Sequence, residues 1–130
     1  MTSFDPASFK GDWLGQTLGI ELVEAKPERV VLTMPVTPAH HQPFGYLHGG
    51  ASVALAETVA SVGGALNVPP GKVAFGLEIN ANHVRSRRDG LLRAIGTPLH
   101  IGQTTQIWEI RIVDDEDKLV LVLEYYSIEE

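Results

Sequence analysis

Residues 48 to 61 read HGGASVALAETVAS, a run of small and apolar residues interrupted by one carboxylate, Glu57; no other side chain ionises between Gly49 and Gly71. An ionised group held away from water costs on the order of several kcal/mol unless it is paired or hydrogen-bonded. A carboxylate here therefore either reaches the edge of its segment, bonds a backbone donor, or does chemistry. Its neighbours favour chemistry. Ser61 follows at i+4 and shares its face if the segment is helical. Gln42 and His48 bracket PFGYL just upstream, and Gly49-Gly50 open the segment. Backbone N–H groups at a helix start carry positive partial charge and suit a developing oxyanion, and a glycine there lets a carbonyl approach closely. The pattern offers a donor at one end and a base or nucleophile further along. A Gly-Gly pair by itself also reads as plain turn geometry.

Spacing limits how these groups cooperate. Gly49 and Glu57 are eight residues apart, about 12 Å along a helix at ~1.5 Å per residue. One acyl carbon cannot touch both within a single chain. Two such helices lying antiparallel across a twofold axis would bring Gly49 of one chain to Glu57 of the other. That predicts two shared sites at an isologous dimer interface.

Other residues invite weaker readings. Arg85, Arg87 and Arg88 are the densest basic cluster, and the forked donors of arginine suit phosphate. Three arginines alone read as a solvated strand end; with Ser86 and the Gly102-Gln103-Thr104 turn nearby they would form a phosphate cradle. His40, His41, His48, His83 and His100 lack compact ligand spacing, so no metal site is expected. The acidic run Asp114–Asp117 lacks the twelve-residue calcium loop with its closing Glu and reads as a hairpin turn.

These groups need a scaffold. The segment after His48 is rich enough in Ala and Leu for about four turns of helix, and its apolar residues fall on all sides, which predicts a helix buried all round. Residues 5–17 predict a short helix with Phe9, Trp13 and Leu14 on one face. GIELVEA and RVVLTMPV read as strands joined at Lys26-Pro27-Glu28, and TPAHHQPFGYL as a loop. Pro69-Pro70-Gly71 close the helix connection. Four more strands follow: KVAFGLEINANHVRS, with Val73, Phe75, Leu77 and Ile79 on one face; LLRAIGTPLHIG after a turn at Arg88-Asp89-Gly90; TTQIWEIRIVD, with Trp108, Ile110 and Ile112 opposite Glu109 and Arg111; and KLVLVLEYYSIEE. Two strands, a helix and four strands predict an α+β fold, an antiparallel sheet curled around one helix, as a single domain over residues 1–130.

Composition sets the outer limits. With 130 residues, 44% hydrophobic and 20% charged, the chain can bury roughly two thirds of its unfolded surface in one core. A formal charge of −6 argues against broad nucleic-acid or anionic-membrane binding. The absence of cysteine removes thiolate chemistry and fits a reducing compartment. MTSFDPASFKGDWLG carries no basic region leading into an apolar run, so no export signal is expected. Residues 49–71 are long enough to span a bilayer, but Glu57, Gly63-Gly64, Asn67 and Pro69-Pro70 make a core helix the better reading.

QPFGYLHGGASVALAETVAS, with GLEINANHVRS and PLHIGQTTQIWEI behind it, resembles the hotdog-fold acyl-CoA thioesterases. Within them it is most similar to the branch with Glu on the central helix, which includes the enterobactin proofreading and dihydroxynaphthoyl-CoA thioesterases. The likeness runs from about Trp13 to the last strand. The resemblance implies Glu57 as nucleophile or general base, Gln42 and His48 binding the thioester or positioning water, the Gly49 N–H as oxyanion donor, and Ser61 assisting the carboxylate or the water. For coenzyme A it implies Gly76, the run His83, Val84, Arg85 and Ser86, and the run His100, Ile101, Gly102, Gln103, Thr104 and Thr105. It further implies a cytoplasmic enzyme of paired dimers, no cofactor beyond the coenzyme A of the substrate, and an aromatic acyl group. Relatives that hydrolyse phenylacetyl-CoA carry Asp where this chain has Glu57, which lowers that substrate's standing. Two other classes bind acyl thioesters without hydrolysing them: a hotdog enoyl-CoA hydratase or dehydratase, and a non-catalytic acyl-CoA-binding protein.

Overall fold

The computed structural model describes residues 4–130; Met1–Ser3, the start of the stretch read above for an export signal, lie outside the described residues. Six strands form one sheet: β1 Glu21–Lys26, β2 Arg29–Pro35, β3 Ala74–His83, β4 Leu91–Ile101, β5 Thr105–Val113 and β6 Leu119–Glu129. Their order is β1-β2-β4-β5-β6-β3, and every pairing is antiparallel. The helix α2, Gly49–Leu66, packs across one face of this sheet. This is the predicted α+β architecture.

Small residues let helix and sheet approach. A Cβ on Gly63 would sit 2.5 Å from the Trp108 ring, and one on Gly96 would sit 2.5 Å from Val59. Neither position tolerates even a methyl group without displacing a core side chain. Trp108, Ile110, Ile112, Leu121, Leu123, Val30, Leu32 and Met34 complete the core with Leu55, Ala56, Val59 and Ala60 of α2. Inside it the Trp108 Nε1–H donates to Gln106 Oε1, and Gln106 Nε2 donates to the Gly64 carbonyl, so the buried indole leaves no unpaired donor.

Two expectations need correction. Residues 5–17 do not form one helix: a 3-10 turn at Pro6–Phe9 and a five-residue helix, α1 Leu14–Leu18, are separated by a bend. Gly11, at φ 107°, turns the chain between them, and Leu14 is exposed. Nor is α2 buried all round. Ser52, Leu55, Ala56, Val59, Ala60 and Val62 to Gly64 face the sheet, whereas Gly50, Ala54, Glu57 and Ser61 line an open stripe. Apolar composition alone could not distinguish packing on the sheet from packing on a second surface.

The turns lie where expected. Asp114 organises the acidic one: its carboxylate accepts from the Lys118 and Glu116 N–H groups (2.9 and 2.8 Å) and from Arg87 (3.1 Å). The Lys118 hydrogen bond first, with Glu116 and the arginine charges behind it, holds this carboxyl below its ordinary value against the opposing effect of burial.

Candidate active site

The loop before α2 is built around two of the predicted side chains. Gln42 Oε1 accepts from the Phe44 and Tyr46 N–H groups (2.7 and 3.2 Å), closing the PFGY turn in which Gly45 adopts φ 88°. With its oxygen occupied, Gln42 presents its NH2 group as the available donor. His48 caps the helix: its Nδ1 accepts from the Gly50 N–H at 2.8 Å. A neutral His48 therefore carries its proton on Nε2. Its backbone N–H donates to the carbonyl of His40. That residue is buried and fixed by its ring nitrogens to Leu18 O and Thr37.

This capping leaves one donor unused. Among the first four N–H groups of α2, Gly50 donates to the His48 ring, and Ala51 and Ser52 donate to the His48 carbonyl. The Gly49 N–H has no partner among the described residues. Gly49 lines a cleft of about 370 Å³ with Leu47, Ser52, His83, Val84, Arg85, Ser86 and Val120. The fold thus joins the helix start to the predicted coenzyme A run His83–Ser86.

The arginines separate. Arg87 is spent on Asp114, Asp115, Asp89 and Glu116, all within 3.7 Å. Arg88 stacks its guanidinium 4.7 Å over the Tyr46 ring. Of the three, Arg85 alone lines the cleft, beside Ser86 and without any residue of the Gly102-Gln103-Thr104 turn, so the condition set for a three-arginine cradle is not met within one chain.

Glu57 lies on the open stripe, two turns on from Gly49. It lines a cavity of about 180 Å³ with Gly76, Leu77, Glu78, Ile79 and Tyr125. Ser61, one turn beyond Glu57, lies beside the Tyr125 hydroxyl. Burial raises the Tyr125 pKa above its ordinary value; the Ser61 hydrogen bond lowers it in part, and the Glu57 charge raises it further. On the other flank, Ser61 borders an apolar pocket of about 200 Å³ formed by Phe4, Ser8, Phe9, Trp13, Thr58 and Val62. Its aromatic wall is a chain of edge-to-face contacts, Phe4 to Phe9 at 5.9 Å and Phe9 to Trp13 at 5.0 Å.

Not every predicted residue gathers here. The hairpin from His100 to Thr105, where the Gly102 N–H donates to Thr105 O, lies at the end of the sheet where β3 begins, since Thr105 and Phe75 both pair with Ile128. Gly76 shares that end. His83 is seven residues further along β3, about 23 Å at ~3.3 Å per residue. One chain therefore holds the predicted coenzyme A residues in two separate groups. No three His, Asp or Glu side chains converge as a metal site among the described residues.

Sequence reasoning missed Tyr125 and the aromatic pocket. The first was legible in part: Leu121, Leu123, Tyr125 and Ser127 alternate inward, and an inward tyrosine needs a partner for its hydroxyl. Nothing in the spacing of Phe4, Phe9 and Trp13 showed that a broken helix would fold them over Ser61.

Sequence comparison identifies residues 44–121 as a match to the Thioesterase superfamily. The 1,4-dihydroxy-2-naphthoyl-CoA hydrolase of Listeria monocytogenes is 50% identical over 109 residues, covering 84% of this chain and 89% of that protein. The proofreading thioesterase EntH of Cronobacter turicensis is 45% identical over 105 residues, covering 81% and 77%. A crystal structure of a thioesterase from Haemophilus influenzae superposes with a TM-score of 0.85 at 43% identity, covering 89% of this chain and 81% of that one.

Proposed function

The chain belongs to the thioesterase superfamily of hotdog-fold enzymes, and on that premise we propose that it hydrolyses acyl-CoA thioesters with a compact aromatic acyl group, of the hydroxybenzoyl or dihydroxynaphthoyl kind. The observation that carries this reading is the unused Gly49 N–H, a free donor at the positive end of a long helix beside the cleft. The thioester oxygen accepts from it, with the Gln42 NH2 group and the His48 Nε2–H as further donors. Glu57 then attacks the acyl carbon or takes a proton from the attacking water. The C–S bond breaks, and coenzyme A leaves as thiolate. Overall, water and thioester become acid and thiol.

Glu57 reaches that carbon only from a second chain, because both groups ride one helix about 12 Å apart. The edge strand supports such a pairing: β3 leaves Phe75 and Leu77 more than half exposed, and an uncovered apolar edge favours a second strand. Antiparallel apposition of two β3 strands would also bring His83–Ser86 of one chain toward Gly76 and the His100–Thr105 hairpin of its partner, uniting the divided coenzyme A residues. Pairing of such dimers into tetramers follows the family resemblance. The Phe4–Phe9–Trp13 pocket, at about 200 Å³, suits one or two fused rings, since a cavity of about 150 Å³ accepts benzene. A coenzyme A substrate and a cysteine-free chain fit the cytoplasm.

A thiol reagent and a panel of acyl-CoA thioesters test the activity. Thiol release faster from aryl than from short aliphatic thioesters is the expected result. Reversible hydration of an enoyl-CoA without thiol release would instead mark a hydratase, and saturable binding without turnover a carrier or sensor. Single-turnover hydrolysis in oxygen-18 water tests for the nucleophilic role of Glu57, because an anhydride cleaved at the Glu57 carbonyl leaves a protein oxygen in the product acid and the label in the carboxylate.

A further inference from the structure

We propose that Tyr125 is a positioning residue for hydrolysis: its hydroxyl, given room by the bare Cα of Gly76, donates into the Glu57 cavity and orients that carboxylate toward the acyl carbon. Three observations converge on it. The side chain is 4% exposed, and it lines the same cavity as Glu57. A Cβ on Gly76 would stand 2.6 Å from the Tyr125 hydroxyl oxygen, so the glycine near the start of β3 is what admits the phenol. Ser61, one turn beyond Glu57, lies beside the phenol, whose hydroxyl can turn its proton toward either neighbour. The cavity side offers it a carboxylate, the stronger acceptor.

This arrangement assigns Ser61 an indirect part. Its hydroxyl lies beside that of Tyr125, and it acts on the carboxylate through the phenol. Charged groups around that phenol are few: Glu57 on α2 and Glu78 on β3 line the cavity, while the residue opposite Tyr125 on β5 is the uncharged Trp108. Two carboxylates and no cation favour a neutral phenol, the form that donates.

The inference rests on Glu57 as the reacting carboxylate, and the test separates the two. Tyr125→Phe keeps the buried ring and should lower kcat about tenfold to a hundredfold, the loss expected for one hydrogen bond to a charged group, with KM little changed. In a Glu57→Gln background the same substitution should have no further effect. A fluorinated tyrosine at position 125 should introduce an alkaline fall in kcat at the lower pH where that phenol ionises, a readout that packing alone would not move. A wild-type kcat in Tyr125→Phe, or an equal loss with and without Glu57, overturns the proposal while leaving Glu57 in place. Full activity of Glu57→Gln overturns the premise instead.

Discussion

Glu57→Gln should lower kcat at least a hundredfold while the protein folds and binds coenzyme A normally. The amide is isosteric and sits well in a helix. At an exposed position on α2, the exchange should change stability by no more than about 0.5 kcal/mol. What it removes is a lone pair that can attack carbon or take a proton from water. That function is used only as the transition state forms, so kcat and kcat/KM should fall together. Thiol-release kinetics, paired with calorimetric titration by coenzyme A, check both halves. A near-wild-type rate rejects the assignment.

The second large effect is at the opposite end of the helix. Gly49→Pro should lower kcat by about a hundredfold to a thousandfold, the usual cost of deleting one oxyanion donor. Proline is well suited to the first helical position, where the missing N–H breaks no helical bond. The preceding residue, His48, already adopts φ −70°, ψ 127°, the extended geometry that proline requires before it. The helix should therefore survive the loss of its unused donor. Crowding needs its own control, because a Cβ at Gly49 comes within 3.1 Å of the His83 ring. Gly49→Ala adds that Cβ and keeps the N–H. A large gap in kcat between the alanine and proline variants isolates the donor; equal rates would remove Gly49 from the mechanism.

Part of the scaffold around this candidate site was legible because local chemistry and spacing specify it. Two glycines before a small-residue run predict the helix start, where the structure has it, and the strand alternation in IWEIRI places Trp108, Ile110 and Ile112 inward, as in the structure. What was not legible depends on tertiary choices. Composition described α2 as apolar throughout, but which stripe stays open depends on where the sheet ends and a second surface begins. Proximity in sequence grouped Arg85, Arg87 and Arg88, whereas the acidic turn between β5 and β6, distant in sequence, captures Arg87, and the Tyr46 ring holds Arg88. The Tyr125–Ser61 contact likewise joins residues far apart in the chain, and only the packing of β6 beside α2 reveals it.

Mixing the two inactive variants is the most direct test. Chains bearing Glu57→Gln and chains bearing Gly49→Pro, unfolded together and refolded, should assort so that about half the dimers are mixed. Each mixed dimer pairs an intact Gly49 with an intact Glu57 at one of its two sites. The mixture should then recover about a quarter of wild-type activity, although neither variant is active alone. A refolded mixture that contains mixed dimers and remains inactive would contradict a catalytic centre shared between two chains.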